Sequence, residues 1–194
     1  QHDRQVTHLR RIQSAVHTMR ELLDDVLVIG RSDAGQLAMH PEPLDPAAVI
    51  RAIVDEVRHG EGHGHTITLD IDEAPAAALA DAGLIRHACT NLLSNAVKYS
   101  DPGSTICVRV WAANEALHVT VADDGIGIPT EDQERLFDSF HRAGNVGTVS
   151  GTGLGLAIVQ RAVAAHQGQV DFHSEVGIGS TFHITLPLTP QETA

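Results

Sequence analysis

Two glycine-rich clusters constrain this chain more than any other feature of its sequence. The first, DDGIG at residues 123–127, directly follows the alternating segment ALHVTVA, and the second, GTGLG at residues 151–155, directly precedes a helix-like segment. Glycine lets a backbone come close to a ligand, and the free N–H groups at a helix N-terminus favour anions. The first hypothesis is therefore a phosphate compound bound between a strand end and a helix start.

The common glycine-rich phosphate motifs do not account for these clusters. GTGLG departs from the G-x-G-x-x-G of dinucleotide-binding folds, and no G-x-x-x-x-G-K-[ST] occurs in the chain. No serine lies in a nucleophile elbow either. A different type of phosphate site has to be considered.

The elements around the clusters predict an α/β domain. Apolar periodicity and capping residues indicate four helices and five strands after residue 45. The helices are predicted from Asp45-Pro46 to about residue 58, over 81–98, at a Thr130–Gln133 capping box and over 154–167. The strands are predicted at 66–72, at ICVRVW and ALHVTVAD, and in a closing hairpin of QVDFHS and STFHITLP, which makes five strands in all. This order favours a mixed sheet with helices packed on one face.

The N-terminal segment predicts a long helix of a bundle or coiled coil. Its apolar residues are spaced alternately three and four apart, which is a heptad seam: Leu9, Ile12, Val16, Met19, Leu23 and Val26. The segment HPEPLDP at residues 40–46 reads as an extended linker. We therefore predict a partial helical domain with the start of the linker at 1–39 and a second domain at 40–194.

The helix predicted at 81–98 carries a polar stripe. Asn91 and Asn95 are four residues apart, Lys98 follows three residues later, and His87 stands four residues before Asn91. Amide oxygens backed by a lysine suit a hard cation and its phosphate oxygens. Asp123, at the end of a strand, can accept a hydrogen bond from an exocyclic amine. A solvent-exposed polar face is the alternative for the stripe alone.

Taken together and in this order, the segments resemble a known set of motifs. The asparagine helix, D-x-G-x-G, the F-x-x-F of Phe137 and Phe140, and G-x-G-x-G are similar to the N, G1, F and G2 boxes of sensor histidine kinases. The resemblance extends over residues 44–190, within the wider family shared with gyrase, Hsp90 and MutL ATPases. It implies a Bergerat-type two-layer α/β sandwich and Mg²⁺-ATP as the ligand.

The resemblance also implies roles for single residues. By analogy Asp123 binds the adenine amine, Asn95 ligates Mg²⁺ with Asn91 nearby, and Lys98 and Tyr99 line the nucleotide. Residues 141–152 are implied to be a mobile ATP lid whose Arg142 reaches phosphate. The further implied nucleotide contacts are Gly125, Gly127, Ile128, Thr152, Gly153, Leu154, Gly155 and Leu156.

One position bears on the chemistry within this family. In the gyrase-like and Hsp90-like ATPases a glutamate four residues before the metal-site asparagine activates the attacking water, and we assign His87 to that position. A neutral imidazole is a different kind of base, so hydrolysis is disfavoured and kinase chemistry is favoured. The catalytic set implied is His87, Lys98 and Arg142.

The phosphoacceptor is expected elsewhere. The N-terminal helix resembles the second helix of the kinase dimerisation and phosphotransfer domain, and none of the 13 histidines lies in the family's acceptor motif. We therefore expect the acceptor histidine upstream, and residues 1–194 alone not to autophosphorylate. The resemblance further implies a homodimer through the helical bundle of the full-length protein and a response-regulator receiver domain as partner.

Charge and composition exclude other partners. The formal net charge is −12 without a basic block, which argues against nucleic acid and against direct membrane contact. No apolar run approaches the roughly 18 residues of a membrane span. Two cysteines suggest a reducing compartment, so we expect a cytoplasmic fragment, which is compatible with a membrane anchor elsewhere in the parent protein. Three alternatives stay open: a gyrase-type ATPase switch, a serine kinase of the anti-sigma type, and a non-catalytic nucleotide-binding or dimerisation module.

Overall fold

The computed structural model describes residues 19, 23, 25–32, 34, 37–75, 77–147, 149 and 151–188. The chain divides into two compact units, Gln1–Leu37 and Ala38–Ala194. In the first unit residues 25–32 are helical, and the seam residues Met19, Leu23 and Val26 are exposed. Residues 1–18 with the rest of the seam lie outside the described residues, so the long helix stays a prediction.

The second unit is built on a mixed five-stranded sheet, as the sequence predicts. Its order is β2-β4-β5-β7-β6, in which β2 and β4 are parallel and the other neighbours are antiparallel. The strands are β2 Thr66–Asp72, β4 Thr105–Ala113, β5 Ala116–Asp123, β6 Gln169–Glu175 and β7 Gly179–Pro187. The helices are α1 Pro46–His59, α2 Ala82–Tyr99, α3 Thr130–Gln133 and α4 Gly155–Ala165. The predicted fold class is confirmed.

Strict alternation along the strands sends one set of side chains to the helices and the other to the open face. On β4, Ile106, Val108 and Val110 are at most 1% exposed, and the residues between them are open or half-buried. Each such side chain contributes about 1.5–3 kcal/mol by leaving water. Helix residues from α1, α2 and α4 complete this core, among them Ile53, Leu92 and Ile158. The sandwich therefore has a single buried layer.

Helix caps place the helices as predicted in two cases and differently in a third. Asp45 accepts a hydrogen bond from Ala48 N at 3.0 Å, and Asp81 caps α2 through Leu84 N at 3.1 Å. The predicted capping box of Thr130 and Gln133 is wrong. The residue before α3 is Pro129, which has no N–H for a box to satisfy, and no side chain caps this helix.

A second, two-stranded sheet was not predicted. β1 (Glu42–Leu44) pairs antiparallel with β3 (Ala78–Ala80), so part of the segment predicted as an extended linker is a strand. Three-residue strands are too short to show an alternating pattern, which explains the omission. No helix in the described part of the chain is long and apolar enough to cross a membrane.

Candidate functional site

Helix α2 carries the asparagine face of the site. The side chain of Asn91 donates from Nδ2 to the carbonyl oxygen of His87 at 2.8 Å. Asn95, one turn later, is half-buried and makes no side-chain hydrogen bond to the described residues. Lys98 is exposed in the last turn. The oxygen atoms of both asparagines therefore remain able to accept or coordinate.

The start of α4 lies directly against this face. A Cβ atom added to Gly155 would stand 2.7 Å from Oδ1 of Asn91, so any larger residue would displace the asparagine amide from its present position. No side chain caps α4. Its first N–H groups, those of Gly155, Leu156 and Ala157, have no acceptor among the described residues. Free N–H groups and the helix dipole make this end a site for an anion.

The turn before α4 is held by its own backbone and by one hydroxyl. Thr152 Oγ1 accepts from Leu154 N at 3.2 Å. Gly153 has φ +71°, and its carbonyl oxygen accepts from Phe140 N at 2.9 Å. The second glycine cluster is thus tied to the end of the F-x-x-F segment. Phe140 itself is 71% exposed, whereas Phe137 packs edge-on against Phe172 with ring centroids 5.9 Å apart.

The first glycine cluster meets the end of α2. Ile126 N donates to Tyr99 O at 3.0 Å. A Cβ atom on Gly125 would lie 2.5 Å from the same carbonyl oxygen and 2.6 Å from Oδ1 of Asp123. The loop therefore needs glycine at residue 125, and this contact brings Asp123 and Tyr99 to one edge of the sheet.

Asp123 is a largely buried carboxylate. Burial raises its pKa and the nearby carboxylate of Asp124 adds to the rise, while the backbone N–H groups of Gly125 and Ser180 hold it down. The Gly125 N–H donates to Oδ1 at 2.9 Å. A carboxylate offers about four lone-pair positions, so it retains acceptor capacity toward a ligand.

The same loop packs against the turn between β6 and β7 and is hydrogen-bonded to it. Gly127 has φ +65°, and a Cβ atom there would lie 2.0 Å from the carbonyl oxygen of Glu175. Ser174 Oγ accepts from Ile128 N at 2.9 Å and donates to Gly179 O at 3.0 Å. Gln133 Nε2 donates to Ile128 O at 3.0 Å and to Ser174 O at 3.3 Å. Sequence reasoning missed both side chains, because a serine within a strand carries no signal and the glutamine had been assigned to a cap.

The segment predicted to be a lid, residues 141–152, is described at 141–147, 149, 151 and 152, and several of its hydrogen bonds lie within the segment. Its Arg142 donates to the carbonyl oxygen of Val149 within the lid itself. Outside the lid, Asp132 Oδ2 accepts from Gly144 N at 2.8 Å, and Asn145 Nδ2 donates to Gly127 O at 2.8 Å. His141 Nε2 is 3.4 Å from Asp132 Oδ1, which is within ion-pair distance but outside hydrogen-bond geometry.

The structure thus brings some of the predicted residues together and leaves others apart. The two asparagines, the start of α4, Tyr99 and the first glycine loop converge on one end of the domain. The side chains of Lys98 and Arg142 are exposed and make no hydrogen bond or ion pair with these groups among the described residues. The carbonyl of His87 supports Asn91. Counted from Asn95, however, the residue four positions earlier is Asn91, an amide that cannot act as a base.

Comparison with known families and proteins gives concordant matches. Residues 80–190 match the family described as histidine kinase-, DNA gyrase B-, and HSP90-like ATPase. The circadian input-output histidine kinase CikA of Synechococcus elongatus is 31% identical over 191 residues, a match covering 95% of this chain and 25% of CikA. The signal transduction histidine-protein kinase BarA of Escherichia coli is 33% identical over 195 residues, covering 94% of this chain and 21% of BarA. The chain therefore spans a quarter or less of these two relatives.

Solved structures agree with the sequence matches. Full-length ShkA in complex with AMPPNP superposes with a TM-score of 0.76 at 28% identity, covering 91% of this chain and 37% of that one. The mycobacterial sensor histidine kinase MprB superposes with a TM-score of 0.69 at 29% identity, covering 77% of this chain and 100% of that one.

Proposed function

Because this chain belongs to the family of histidine kinase-, DNA gyrase B- and HSP90-like ATPases and is a catalytic domain of the histidine kinase type, we propose that it binds Mg²⁺-ATP and transfers the γ-phosphoryl group to a histidine. The observation that carries the proposal is the contact of Gly155 with Asn91. It brings an anion-binding helix start and a face of amide oxygens to the end of the domain that also holds Asp123.

The residues fit an adenine nucleotide. Asp123 is desolvated and keeps acceptor capacity, so it can take a hydrogen bond from the exocyclic amine of adenine. Gly125 and Gly127 let the loop beside Asp123 lie directly against the backbone of Tyr99 and Glu175, because neither position has room for a Cβ atom. The N–H groups of Gly155, Leu156 and Ala157 suit phosphate oxygens. ATP is bound with its base at the first loop and its phosphates at α4.

The residues also fit Mg²⁺. This ion is usually held by one or two protein oxygens together with phosphates and water, and the free amide oxygen of Asn95 provides one, with Asn91 beside it. Bound Mg²⁺ neutralises charge on the phosphate chain. Lys98 adds a positive charge from the same helix face, and Arg142 adds a second one when it leaves Val149.

Little acid–base work is required of this domain. Phosphoryl transfer depends mainly on alignment and charge stabilisation, and an imidazole nitrogen of the acceptor is itself the nucleophile. We propose that the acceptor belongs to a helical segment outside residues 1–194, since no histidine here lies in an acceptor motif. The parent protein is then a bundle-linked homodimer that passes the group to a response-regulator aspartate in the cytoplasm.

Calorimetry tests the nucleotide assignment. Asp123→Asn removes the adenine acceptor and should weaken ATP, ADP and adenosine alike. Asn95→Ala should weaken ATP in the presence of Mg²⁺ and leave adenosine unchanged. If both variants bind every ligand as the wild type does, the site is elsewhere.

A transfer assay tests the chemistry. The chain is incubated with labelled ATP and a separate dimerisation helix from a histidine kinase such as BarA, with that helix's acceptor histidine replaced as the control. An acid-labile, base-stable label on the added helix and none on this chain is expected. Acid-stable label on a serine of this chain, or phosphate release without transfer, would contradict the proposal.

A further inference from the structure

Three potential metal-donor atoms meet on the open face of the sheet, away from the helices. Nδ1 of His118 on β5 and Nε2 of His183 on β7 are 3.0 Å apart. Thr185 Oγ1 lies 3.3 Å from the first nitrogen and 3.5 Å from the second. Two imidazole nitrogens and a hydroxyl oxygen therefore form a compact triangle that belongs to no part of the nucleotide site.

The size of this triangle matches one face of a coordination tetrahedron. Zinc–nitrogen and zinc–oxygen bonds of about 2.0–2.2 Å place tetrahedral ligands about 3.3–3.5 Å apart. Two edges of the triangle have this length, and the third, at 3.0 Å, needs to open by only about 0.3 Å. The fourth position is left for water, because all three side chains are half-buried and reach solvent.

The imidazole of His118 is oriented as metal ligands usually are, by a hydrogen-bond partner on the nitrogen that faces away from the triangle. His118 Nε2 lies 3.3 Å from the carbonyl oxygen of Ala113, which places the proton on Nε2 and the lone pair on Nδ1. Asp171 faces His183 across the β6–β7 register. Without an ion, His183 Nε2–H donates to His118 Nδ1, and an ion would replace that proton.

Stacking fixes the two rings further. Trp111 on β4 stacks on His118 at 5.0 Å and on His183 at 5.5 Å between ring centroids. The guanidinium of Arg109 lies 5.8 Å from the centroid of the tryptophan ring. The imidazoles therefore lose little rotational freedom on binding an ion, which favours affinity.

We propose that His118, His183 and Thr185 form a binding site for a divalent transition-metal ion of the imidazole-preferring kind, such as Cu²⁺, Zn²⁺ or Ni²⁺. Among the described residues no group of three histidine, cysteine or acidic side chains is placed to hold a metal ion. The ligand set is accordingly two imidazoles, one hydroxyl and water. Hard ions such as Mg²⁺ prefer oxygen ligands and do not compete here.

Trp111 makes the proposal directly testable. It is the only tryptophan in the chain, and a paramagnetic Cu²⁺ ion beside the stacked rings quenches its fluorescence. Titration of the whole chain with Cu²⁺ should give saturable quenching that Zn²⁺ reverses and Mg²⁺ does not. His118→Gln and His183→Gln should each lower the Cu²⁺ affinity about tenfold or more, and Thr185→Val by less.

The matched controls are His59→Gln and His63→Gln. Both histidines are exposed, His59 at the end of α1 and His63 in the turn that follows, and their Nδ1 atoms are hydrogen-bonded to the backbone carbonyl oxygens of Asp55 and Gly60. These variants should quench as the wild type does. Equal affinity in the His118 and His183 variants, or loss of quenching in the controls, would overturn the proposal.

A second measurement covers the case that a variant does not fold. In the wild-type chain, substoichiometric Cu²⁺ should broaden the imidazole NMR signals of His118 and His183 before those of the other histidines. Broadening that begins elsewhere would refute the site without any substitution.

Discussion

The loop at residues 123–128 and the predicted lid at residues 141–152 both belong to the proposed nucleotide site, but their contacts differ in kind. The loop is enclosed by backbone: Gly127 lies against Glu175, and Ile126 N is bonded to Tyr99 O. In the predicted lid, a Cβ atom added to Gly147 would have no other atom within 4 Å, and Arg142 is hydrogen-bonded to Val149 of the same segment. The end proposed to bind adenine is therefore preorganised, whereas we expect the end proposed to bind the phosphates to rearrange around its ligand.

The largest effect is expected when one glycine in each segment is replaced by alanine. Both have positive φ, +65° at Gly127 and +53° at Gly147. Gly127→Ala drives a Cβ into the Glu175 backbone and should cost about 3 kcal/mol or more of the free energy of unfolding. Gly147→Ala meets only the φ penalty, about 1 kcal/mol. Denaturant unfolding measures both, and equal losses would mean that the loop is no more enclosed than the lid.

The next largest effect is expected for Asp123→Asn, which should lower nucleotide affinity without lowering the stability of the ligand-free domain. Loss of the amine contact should weaken ATP by about 2 kcal/mol, or roughly 30-fold. The same change removes a desolvated carboxylate, so the ligand-free domain should be equally stable or up to about 1 kcal/mol more stable at neutral pH. Calorimetry measures the ATP affinity of the variant, and denaturant unfolding measures its stability. A variant that loses stability and binding together would identify Asp123 as a purely structural residue.

The pH dependence of Asp123 follows from its raised pKa. The folded state resists ionisation more than the unfolded chain, so this carboxyl stabilises the wild type most below its ordinary value of 3.8. That contribution is lost as the pH rises through the higher folded pKa. Relative to Asp123→Asn, the wild type should therefore lose stability over this window. Nucleotide affinity, which needs the ionised form, should run the other way and fall as the pH falls through the folded pKa.

A smaller effect on stability and on ATP affinity is expected for Ser174, whose hydroxyl is hydrogen-bonded to the loop. Ser174→Ala leaves Ile128 N and Gly179 O without their partner, and should cost about 1–2 kcal/mol of stability and several-fold in ATP affinity. Ser104→Ala is the matched control, because the Ser104 hydroxyl is buried without a hydrogen-bond partner and its loss should be neutral. If Ser174→Ala leaves ATP affinity as the control does, Ser174 does not position the loop.

The smallest effect concerns the lid. Arg142→Ala removes one exposed side chain that is hydrogen-bonded to Val149 of the same segment. The free energy of unfolding should therefore change by less than about 0.5 kcal/mol. ATP affinity should fall by a few-fold while adenosine binding stays the same. Hydrogen exchange at residues 141–147 should slow when nucleotide is added, and exchange at 125–128 should change less. The reverse order of protection would contradict the comparison.

The sequence predicted features that depend on neighbouring residues, and it missed contacts between residues that are far apart in the chain. Asp45-Pro46 and the alternation of Ile106, Val108 and Val110 are local signals, and the helices and strands they predict are present. Ser174 bonds to Ile128, 46 positions away, and Gln133 bonds to Ser174, 41 positions away, and no local pattern marks such partners. The stack of Trp111 on His118 and His183 depends on strand order, which the sequence pattern left open. Local propensity is readable, and tertiary pairing is not.

The position of β7 has a consequence for how this domain is made. β7 follows every other strand in the chain, yet it lies inside the sheet, between β5 and β6. Chains emerge from the ribosome N-terminus first, so β5 waits with an unpaired edge until residues 179–187 have been synthesised. The nascent domain therefore cannot close its sheet stepwise, and a premature stop before Gly179 leaves two exposed strand edges prone to aggregation.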